Sequence, residues 1–396
     1  AVNGDATVDM RHLNRLVAFD EKTGQLVAES GVLLADIIRT FLPRGWFPAV
    51  TPGTKYVTLG GMIAADVHGK NHHKEGSIRQ FIDWIEMIDS TGKIVRCSPN
   101  QDSDIFEWTI GGMGLTGVIL RAAIRLKAVQ TGWIEQTLTL TKNLQETLQH
   151  FEQMDDATYS AAWLDGLAGE ASLGRAVIIQ GEHAPLSALN ANQAKQPFDT
   201  PARKNWHVPF TPPICPLTRG VMTRFNRFYY RRAGQQPRQQ RIGWDSFFYP
   251  LDVLHHWNRL YGPRGFFQFQ CVIPAAHARE AIQKMLHASY DSDVGSYLAV
   301  LKKFGSLGSD QGLSFPMEGY TLTLDIAAKQ DADALMEQLH RLTLEYGGRF
   351  YLAKDAKLSA ADFHASDARI QAFQQMRERM DRPQHFRSHQ SQRLEL

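Results

Sequence analysis

Leu33, Leu34, Ile37, Ile38 and Phe41 recur at the three- and four-residue spacing of a helix with one apolar face. Pro43 and Gly45 follow as a breaker pair, so the helix is expected to stop before them. Residues 8–10 and 26–28 read as short extended runs. Residues 83–89 and 93–97 flank Ser90-Thr91-Gly92, which predicts a hairpin with a glycine turn. Residues 118–126, rich in branched side chains, predict a further strand. Beyond Thr131 the alternation strengthens. Residues 134–140, 266–273 and 319–326 predict strands, while 144–154, 275–286 and 332–344 repeat as amphipathic helices. Elements in this order suit an antiparallel sheet with helices on one face. Between Gln180 and Ser246 periodicity fades, and so long a stretch predicts a functional flap or a disordered segment. No internal repeat or heptad run interrupts this α+β pattern.

A length of 396 residues exceeds one comfortable core, so two domains are expected. Hydrophobic residues at 43% and charged residues at 21% exclude a largely disordered chain. Lys+Arg 43 against Asp+Glu 41 leaves +2, which gives the chain as a whole no preference for polyanions such as nucleic acid. Cys97, Cys215 and Cys271 are far apart and odd in number, which excludes a disulfide scaffold and a CxxC pair. No apolar run reaches the roughly 18 residues of a membrane span. The best, near residues 31–41, is broken by Asp36 and Arg39. The chain opens Ala1-Val2-Asn3 without Met, so a targeting segment is not legible in it.

Gly112-Met113-Gly114-Leu115-Thr116-Gly117 matches GxGxxG. A Rossmann fingerprint needs a helix after it, and here a strand-like run comes next. A nicotinamide site is therefore not expected, although the glycines still allow close backbone approach to a ligand. The densest polar-glycine block is Thr51-Pro52-Gly53-Thr54, Thr58-Leu59-Gly60-Gly61 and Asp66-Val67-His68-Gly69-Lys70-Asn71-His72-His73. His68 and His72, four apart, could share a metal on a helix. Gly69 weakens such a helix and Asp66 would point to its opposite face, so no metal is expected. A glycine-rich surface loop is the commoner reading of any such stretch. Yet its four glycines and clustered hydroxyls supply many N–H donors, which a phosphate or a flavin edge requires.

Lys302, Lys303, Asp325 and Lys354, taken singly, read as solvated charges. Lys354-Asp355 follows Phe350-Tyr351 and so sits at the end of a buried strand. GxSxG and HExxH are absent, which leaves hydrolase and zinc-protease readings without support. Residues 200–244 hold nine bases and no acid: Arg203, Lys204, Arg219, Arg224, Arg227, Arg231, Arg232, Arg238 and Arg241. They interleave with Phe225, Phe228, Tyr229 and Tyr230. A solvated loop, a nucleic-acid face and an anionic membrane face all remain open; the second would want a basic domain around it.

Pro52-Gly53-Thr54, Gly60-Gly61, the run from His68 to His73, Gly114-Leu115-Thr116-Gly117, Tyr249-Pro250-Leu251-Asp252, Trp257-Asn258-Arg259, Tyr261-Gly262-Pro263, Leu313-Ser314-Phe315-Pro316, Ala353-Lys354-Asp355 and Arg393-Leu394-Glu395-Leu396 occur in that order. Together they resemble the vanillyl-alcohol-oxidase (PCMH-type) class of FAD oxidoreductases, and within it the decaprenylphosphoryl-β-D-ribose 2′-oxidase family. The resemblance spans almost the whole chain, residues 155–240 excepted. It implies an FAD-binding domain from residues 1–130, rejoined by 349–396, around a substrate domain of 131–348 with an antiparallel sheet. It also implies a non-covalent FAD lined by Gly53, Thr54, Thr58, Gly60, Gly61, His68, Gly69, Asn71, Thr116, Gly117 and Tyr351. Tyr249, Gln270, Lys302, Thr323, Asp325 and Lys354 would face the substrate.

Two departures stand out. The family's pyrophosphate loop would lie ahead of Asn3-Gly4-Asp5, so the FAD site is expected to lack it within this sequence. Thr323 stands where the best-studied branch has a cysteine, so no reactive thiol is expected in the pocket. The implied reaction oxidises the 2′-hydroxyl of a polyprenyl-phosphate-linked pentose to a keto sugar by hydride transfer to flavin N5. Lys354 would stabilise charge, and His68 would accept a proton with a pKa near working pH. The implied partners are the polyprenyl-phosphate sugar, a peripheral anionic membrane on the cytoplasmic or periplasmic side, and a short-chain reductase completing an epimerisation. An aldonolactone or other free-sugar oxidase is the neighbouring enzyme reading; a flavin-free binding or scaffold protein is the reading from another class.

Overall fold

The computed structural model describes residues 7–153, 156–292, 294–296, 298–381 and 384–396. Asn3-Gly4-Asp5 and Met154, the expected end of one helix, lie outside the described residues. The first layer is an antiparallel sheet of β1 (Leu16–Asp20), β2 (Gln25–Glu29), β3 (Trp46–Pro48), β4 (Ile82–Ile88), β5 (Ile94–Cys97) and β6 (Val118–Ala128). Its order is β1-β2-β6-β4-β5, with β3 also paired to β6. The helix Leu34–Phe41 buries Leu34, Ile37, Ile38 and Phe41, the positions its spacing marked. A 3-10 turn at Leu42–Arg44 comes next, ended by Gly45 at φ 83°. The expected run at residues 8–10 is not a strand, because a 3-10 turn begins at Met10. The strand there is β1, a sheet edge whose mostly exposed residues leave no alternation to read.

The second layer decides where chemistry can happen. It comprises β7 (Trp133–Thr141), β8 (Tyr159–Asp165), β9 (Arg175–His183), β11 (Gln239–Gly243), β13 (Phe266–Pro274), β14 (Leu298–Phe304), β15 (Gly319–Ala327) and β16 (Arg349–Phe350). A separate two-residue parallel ladder joins β10 (Trp206–His207) to β12 (Leu254–His255). The large sheet runs β11-β7-β9-β8-β14-β15-β13-β16.

Alternation gives this sheet two unlike faces. Phe269, Cys271 and Ile273 of β13, Leu322, Leu324 and Ile326 of β15, and Ala299 and Leu301 of β14 share one core. The helices Leu144–Gln153, Ala275–Asp291 and Ala332–Glu345 cover that core. Each fully buried Leu or Ile there contributes about 1.5–3 kcal/mol. The residues between them point the other way, and in register they are Gln268 opposite Asp325, Gln270 opposite Thr323, Val300 opposite Thr323 and Lys302 opposite Thr321. A polar face in the middle of a sheet needs partners, and the first layer supplies them.

Residues 200–244 differ from the expected flap. They contain the helix Arg219–Gly234, capped by Thr218, and the edge strand β11 paired to β7. The helix docks on the sheet through Tyr229 against Trp163 (ring centroids 4.7 Å), Asn226 donating to Asp165 at 2.9 Å, and Ala233 beside Leu138 and Val177. Its inward positions are Met222, Asn226, Tyr229 and Ala233. That is helical spacing, but Asn226 and the small Ala233 interrupt it while Phe225 and Phe228 lie exposed, so no continuous apolar stripe marks the face. Asp165 is itself held by Arg175 at 2.6 Å.

Three arginines join the layers. Arg79 donates to Ser314 Oγ (3.0 Å) and to the carbonyls of Glu107 (2.9 Å) and Ile110 (2.8 Å). Arg369 donates to Ser314 O at 2.9 Å, and Arg377 to Leu115 O at 3.3 Å. On the helix Arg369–Met380, Phe373 stacks near Trp108 at 5.7 Å. Among the described residues no helix is long and apolar enough to cross a membrane.

Candidate active site

Thr58 caps the short helix Leu59–Ala64, its Oγ1 accepting from Gly61 N at 3.2 Å. Gly60 N donates to Ser30 O at 2.7 Å, an approach that a side chain at Gly60 would block. The end of this helix binds the GxGxxG loop directly, through Gly111 N to Ile63 O (3.1 Å) and Met113 N to Ala64 O (2.9 Å). Two glycine-rich stretches distant in sequence thus form one surface. In that loop Gly117 takes φ 155°, and a Cβ there would overlap Met87 Cε and Ile88 O. Thr116 Oγ1 lies 2.9 Å from Thr109 Oγ1. A Cβ at Gly69 would lie 2.7 Å from Asn71 Oδ1 and 3.0 Å from Thr51 O. Ser30 Oγ, Thr51 Oγ1, Asn71 Oδ1 and His68 Nδ1 are buried without a hydrogen-bond partner among the described residues. Buried polar atoms rarely go unpaired, and this set fits the polar edge of a flat cofactor. Gly53 and Thr54 lie at its rim; Gly53 is exposed, and Thr54 Oγ1 accepts from Tyr56 N at 3.2 Å.

His68 projects from this surface onto the polar face of the sheet. Its ring sits 4.8 Å from Phe304, 5.5 Å from Phe315 and 5.0 Å from Tyr351. Gln270 Nε2 lies 2.9 Å from His68 Nε2 and donates to Thr321 Oγ1 at 3.0 Å, while Tyr351 N holds the Gln270 carbonyl at 3.0 Å. An amide nitrogen only donates, so His68 Nε2 accepts and the proton rests on Nδ1. Burial, then the charges of Lys302, His72 and Lys354, hold the His68 pKa well below its ordinary value. This departs from the expected acceptor with a pKa near working pH: the imidazole is neutral and presents N–H. The metal geometry does not form either, since the helix His72–Glu75 starts only at His72 and His68 lies outside it. Among the described residues no three His, Cys, Asp or Glu side chains gather to hold a metal.

The lysines bring the charge. Lys302 is pushed down to about 7 by burial and by the charges of Lys70 and Lys354. Burial pushes Lys70 to about 8, and its Nζ donates to Phe248 O at 3.0 Å. Burial lowers Lys354 against the pull of Asp325, and raises Asp325 against Lys354 and the Gln268 amide at 2.9 Å. The turn that carries Lys354 is held at its next residue: Asp355 accepts from Arg393 at 2.6 Å and from Gln390 at 3.1 Å. His68, Gln270, Tyr351, Lys302, Asp325 and Lys354 are thus brought together, with Thr323 between Gln270 and Val300 on the same face. Tyr249 stands apart. It is fully buried, its ring neighbours include Trp244, Phe248 and the Lys55 ammonium at 5.7 Å, and its hydroxyl has no partner among the described residues. Sequence reasoning missed Lys70, Phe304 and Phe315 as site residues. Lys70 and Phe315 lay inside the family motifs; Phe304 had only its two-residue offset from Lys302.

Residues 1–98 match the family described as FAD binding domain. Decaprenylphosphoryl-β-D-ribose oxidase of Mycolicibacterium smegmatis is 35% identical across 99% of this chain and 85% of its own length. The chain belongs to the decaprenylphosphoryl-β-D-ribose oxidase family. A Streptomyces coelicolor protein described only as lying in the mprA 5′ region is 29% identical over 92% of this chain and 99% of its own. L-gulonolactone oxidase of Bos taurus is 26% identical over 37% of the chain. This member of the oxidase family is an FAD-dependent oxidoreductase of α+β architecture, which overturns the flavin-free scaffold reading.

The Arg393 grip on Asp355 makes a prediction. Arg393→Ala should lower turnover about tenfold while flavin content stays near wild type, because Lys354 loses its aim. Steady-state kinetics beside a flavin-to-protein ratio measure it; unchanged turnover would mean the C-terminal contact is only structural.

Proposed function

We propose that this protein oxidises the 2′-hydroxyl of a pentose carried on polyprenyl phosphate, giving the 2-keto sugar. The observation that carries this reading is the 35% identity across nearly the whole chain, substrate sheet included. A free-sugar or aldonolactone oxidase is the second reading, favoured by the L-gulonolactone oxidase match, but that covers only 37% of the chain. We take residues 1–130 and 349–396 as the cofactor domain and 131–348 as the substrate domain.

FAD when bound supplies the hydride acceptor. Gly53, Thr54, Thr58, Gly60, Gly61, His68, Gly69, Asn71, Thr116, Gly117 and Tyr351 would line it, held without a covalent bond. Lys354 stabilises charge developing on the carbinol oxygen. His68 donates from Nδ1 rather than acting as the base. The hydroxyl proton goes to Asp325, the one carboxylate among His68, Gln270, Lys302, Asp325 and Lys354, whose protonated form burial favours. Gln270 and Thr323 bound the sugar, with Tyr249 behind Phe248 as packing. The keto product is a carbonyl that a short-chain reductase partner could reduce to the 2-epimer.

Peripheral docking on an anionic membrane suits this substrate. The helix Arg219–Gly234 leaves Phe225 (51% exposed) and Phe228 (61% exposed) outward among Arg224, Arg227, Arg231 and Arg232. Trp206, Phe210 and Ile214 are exposed nearby in the chain. Each base near such a surface adds about 1 kcal/mol.

Under anaerobic conditions a farnesylphosphoryl pentose should bleach the visible flavin band, while free pentoses and aldonolactones should not; the reverse order would establish the second reading. Adding a reductase should be required for the epimer to appear. Lys354→Ala should slow bleaching about 10²–10³-fold, equivalent to ~2–4 kcal/mol, with the fold intact; near wild-type bleaching would remove Lys354 from the mechanism. Acid precipitation should leave the yellow colour in the supernatant, and a coloured pellet would show a covalent flavin. Changing Arg224, Arg227, Arg231 and Arg232 together to Ser should abolish co-sedimentation with anionic liposomes, whereas equal binding would leave that helix a solvated face.

A further inference from the structure

We propose that Lys70 and Lys302 together seat the phosphodiester of the substrate, beside the place where Lys354 and Asp325 receive the sugar. This rests on the polyprenyl-phosphate reading and assigns the part of the site that reading leaves open.

Lys70 comes from the glycine-rich block, Lys302 from β14 and Lys354 from the turn after β16. The block packs on that part of the sheet: Ser160 N of β8, the neighbour of β14, donates to Lys70 O at 2.8 Å, and the His72 ring lies 4.2 Å from Phe304. The charges of Lys70 and Lys354 both reach Lys302. Among the described residues one carboxylate answers them, and it answers Lys354, since Asp325 and Lys354 act on each other. Lys70 Nζ has a carbonyl partner, Phe248 O, and no acid. Lys302 has neither an ion pair nor a hydrogen bond among the described residues, yet it feels the charges of Lys70 and Lys354. Asp66, also buried, accepts from Arg79 N at 3.3 Å and acts on Tyr351 rather than on Lys302; three further carboxylates are engaged by other lysines. Glu75 holds Lys127 at 2.7 Å, Glu152 lies 3.5 Å from Lys303, and Asp245 is taken by Lys55.

Two cations that repel each other in a partly desolvated place cost stability unless an anion joins them. A sugar has no charge to offer, and a phosphodiester has one. The walls suit the prenyl chain that a prenyl phosphate carries beyond its charged group. The rings of Phe247 and Phe248 lie 5.6 and 5.8 Å from Lys70 Nζ, and Phe304 is two residues from Lys302 on the same strand face. The other titratable groups facing Lys302 are His68 and His72, both held neutral by burial and by Lys302 itself. They can donate hydrogen bonds and do not compete as anions.

The charge state has a direction that can be read. An anion favours protonated Lys302, so binding raises a pKa that otherwise lies at about 7. Above that pH, binding must take up a proton, and affinity falls as pH rises.

The probe is methyl farnesyl phosphate, a diester that stays a monoanion, titrated into the FAD holoenzyme with flavin absorbance as readout. Farnesyl methyl ether is the uncharged control. Wild type should bind the diester with affinity falling several-fold between pH 7 and 8. Lys302→Met and Lys70→Met should each bind it at least about tenfold more weakly. Lys302→Met should also flatten the pH profile, Lys302→Arg should restore tight binding, and the ether should bind all variants alike. Diester affinity unchanged in both Met variants would overturn the assignment. So would equal loss of the ether, which signals general damage, or an equal response to inorganic phosphate, which signals a free-phosphate site. Should Lys302→Met not retain FAD, the wild-type pH profile decides, and a flat one refutes the proposal. Lysine-dependent diester binding without bleaching by a farnesylphosphoryl pentose would instead keep the seat and discard the sugar assignment.

Discussion

The pleat of three neighbouring strands governs this site. β13, β15 and β14 bury Phe269, Leu322, Leu324 and Leu301 against helices, and their side-chain period of two then has no freedom left. Every intervening residue must face the glycine-rich layer. Gln268, Gln270, Thr321, Thr323, Asp325 and Lys302 are polar at those places because they lie on the face opposite the helix-covered core. A slip of one residue would exchange the two sets, burying two charges and exposing the aliphatics. The stability of the fold and the placement of the chemistry are therefore one constraint.

What this geometry yields electrostatically is a site with more cations than anions. Burial lowers Lys302, Lys70 and Lys354 and keeps His68 and His72 neutral, while it raises Asp325. At Lys302 the charges of Lys70 and Lys354 add to the effect of burial. The consequence is that the group poised near neutral pH is Lys302 rather than His68. A histidine would be the first guess from its ordinary pKa, and tertiary burial reverses that order.

Outside the site, the same economy of polar contacts holds the layers together. Arg79, Arg369 and Arg377 each reach a backbone carbonyl outside regular structure, those of Ile110, Ser314 and Leu115. Leu313-Ser314-Phe315-Pro316 is pinned in this way over Gly111, which puts Phe315 beside His68 and Tyr351. Family motifs that look arbitrary along the chain, such as the closing Arg393-Leu394-Glu395-Leu396, become legible as clamps on the turn bearing Lys354.

Periodicity alone located the helix at Leu34–Phe41, the hairpin of β4 and β5, and the strands β6, β7, β13 and β15, because one face of each packs on a continuous core. It failed at β1, a half-exposed edge, and at Arg219–Gly234, where Asn226 and Tyr229 occupy the inward positions that aliphatics would have signalled. The glycine-rich block and the GxGxxG loop were visible as chemistry, and the order of motifs indicated the family. Which residues meet was another matter. His68 and Gln270 are 202 positions apart, and nothing local in either says that an amide hydrogen bond will fix the imidazole tautomer. Lys302 looked like a solvated charge and Lys70 like one residue of a glycine-rich loop, and only their shared surroundings change what they are. Spacing along a chain encodes which face a side chain takes; desolvation and charge coupling belong to the assembled neighbourhood, so only the tertiary structure decides them.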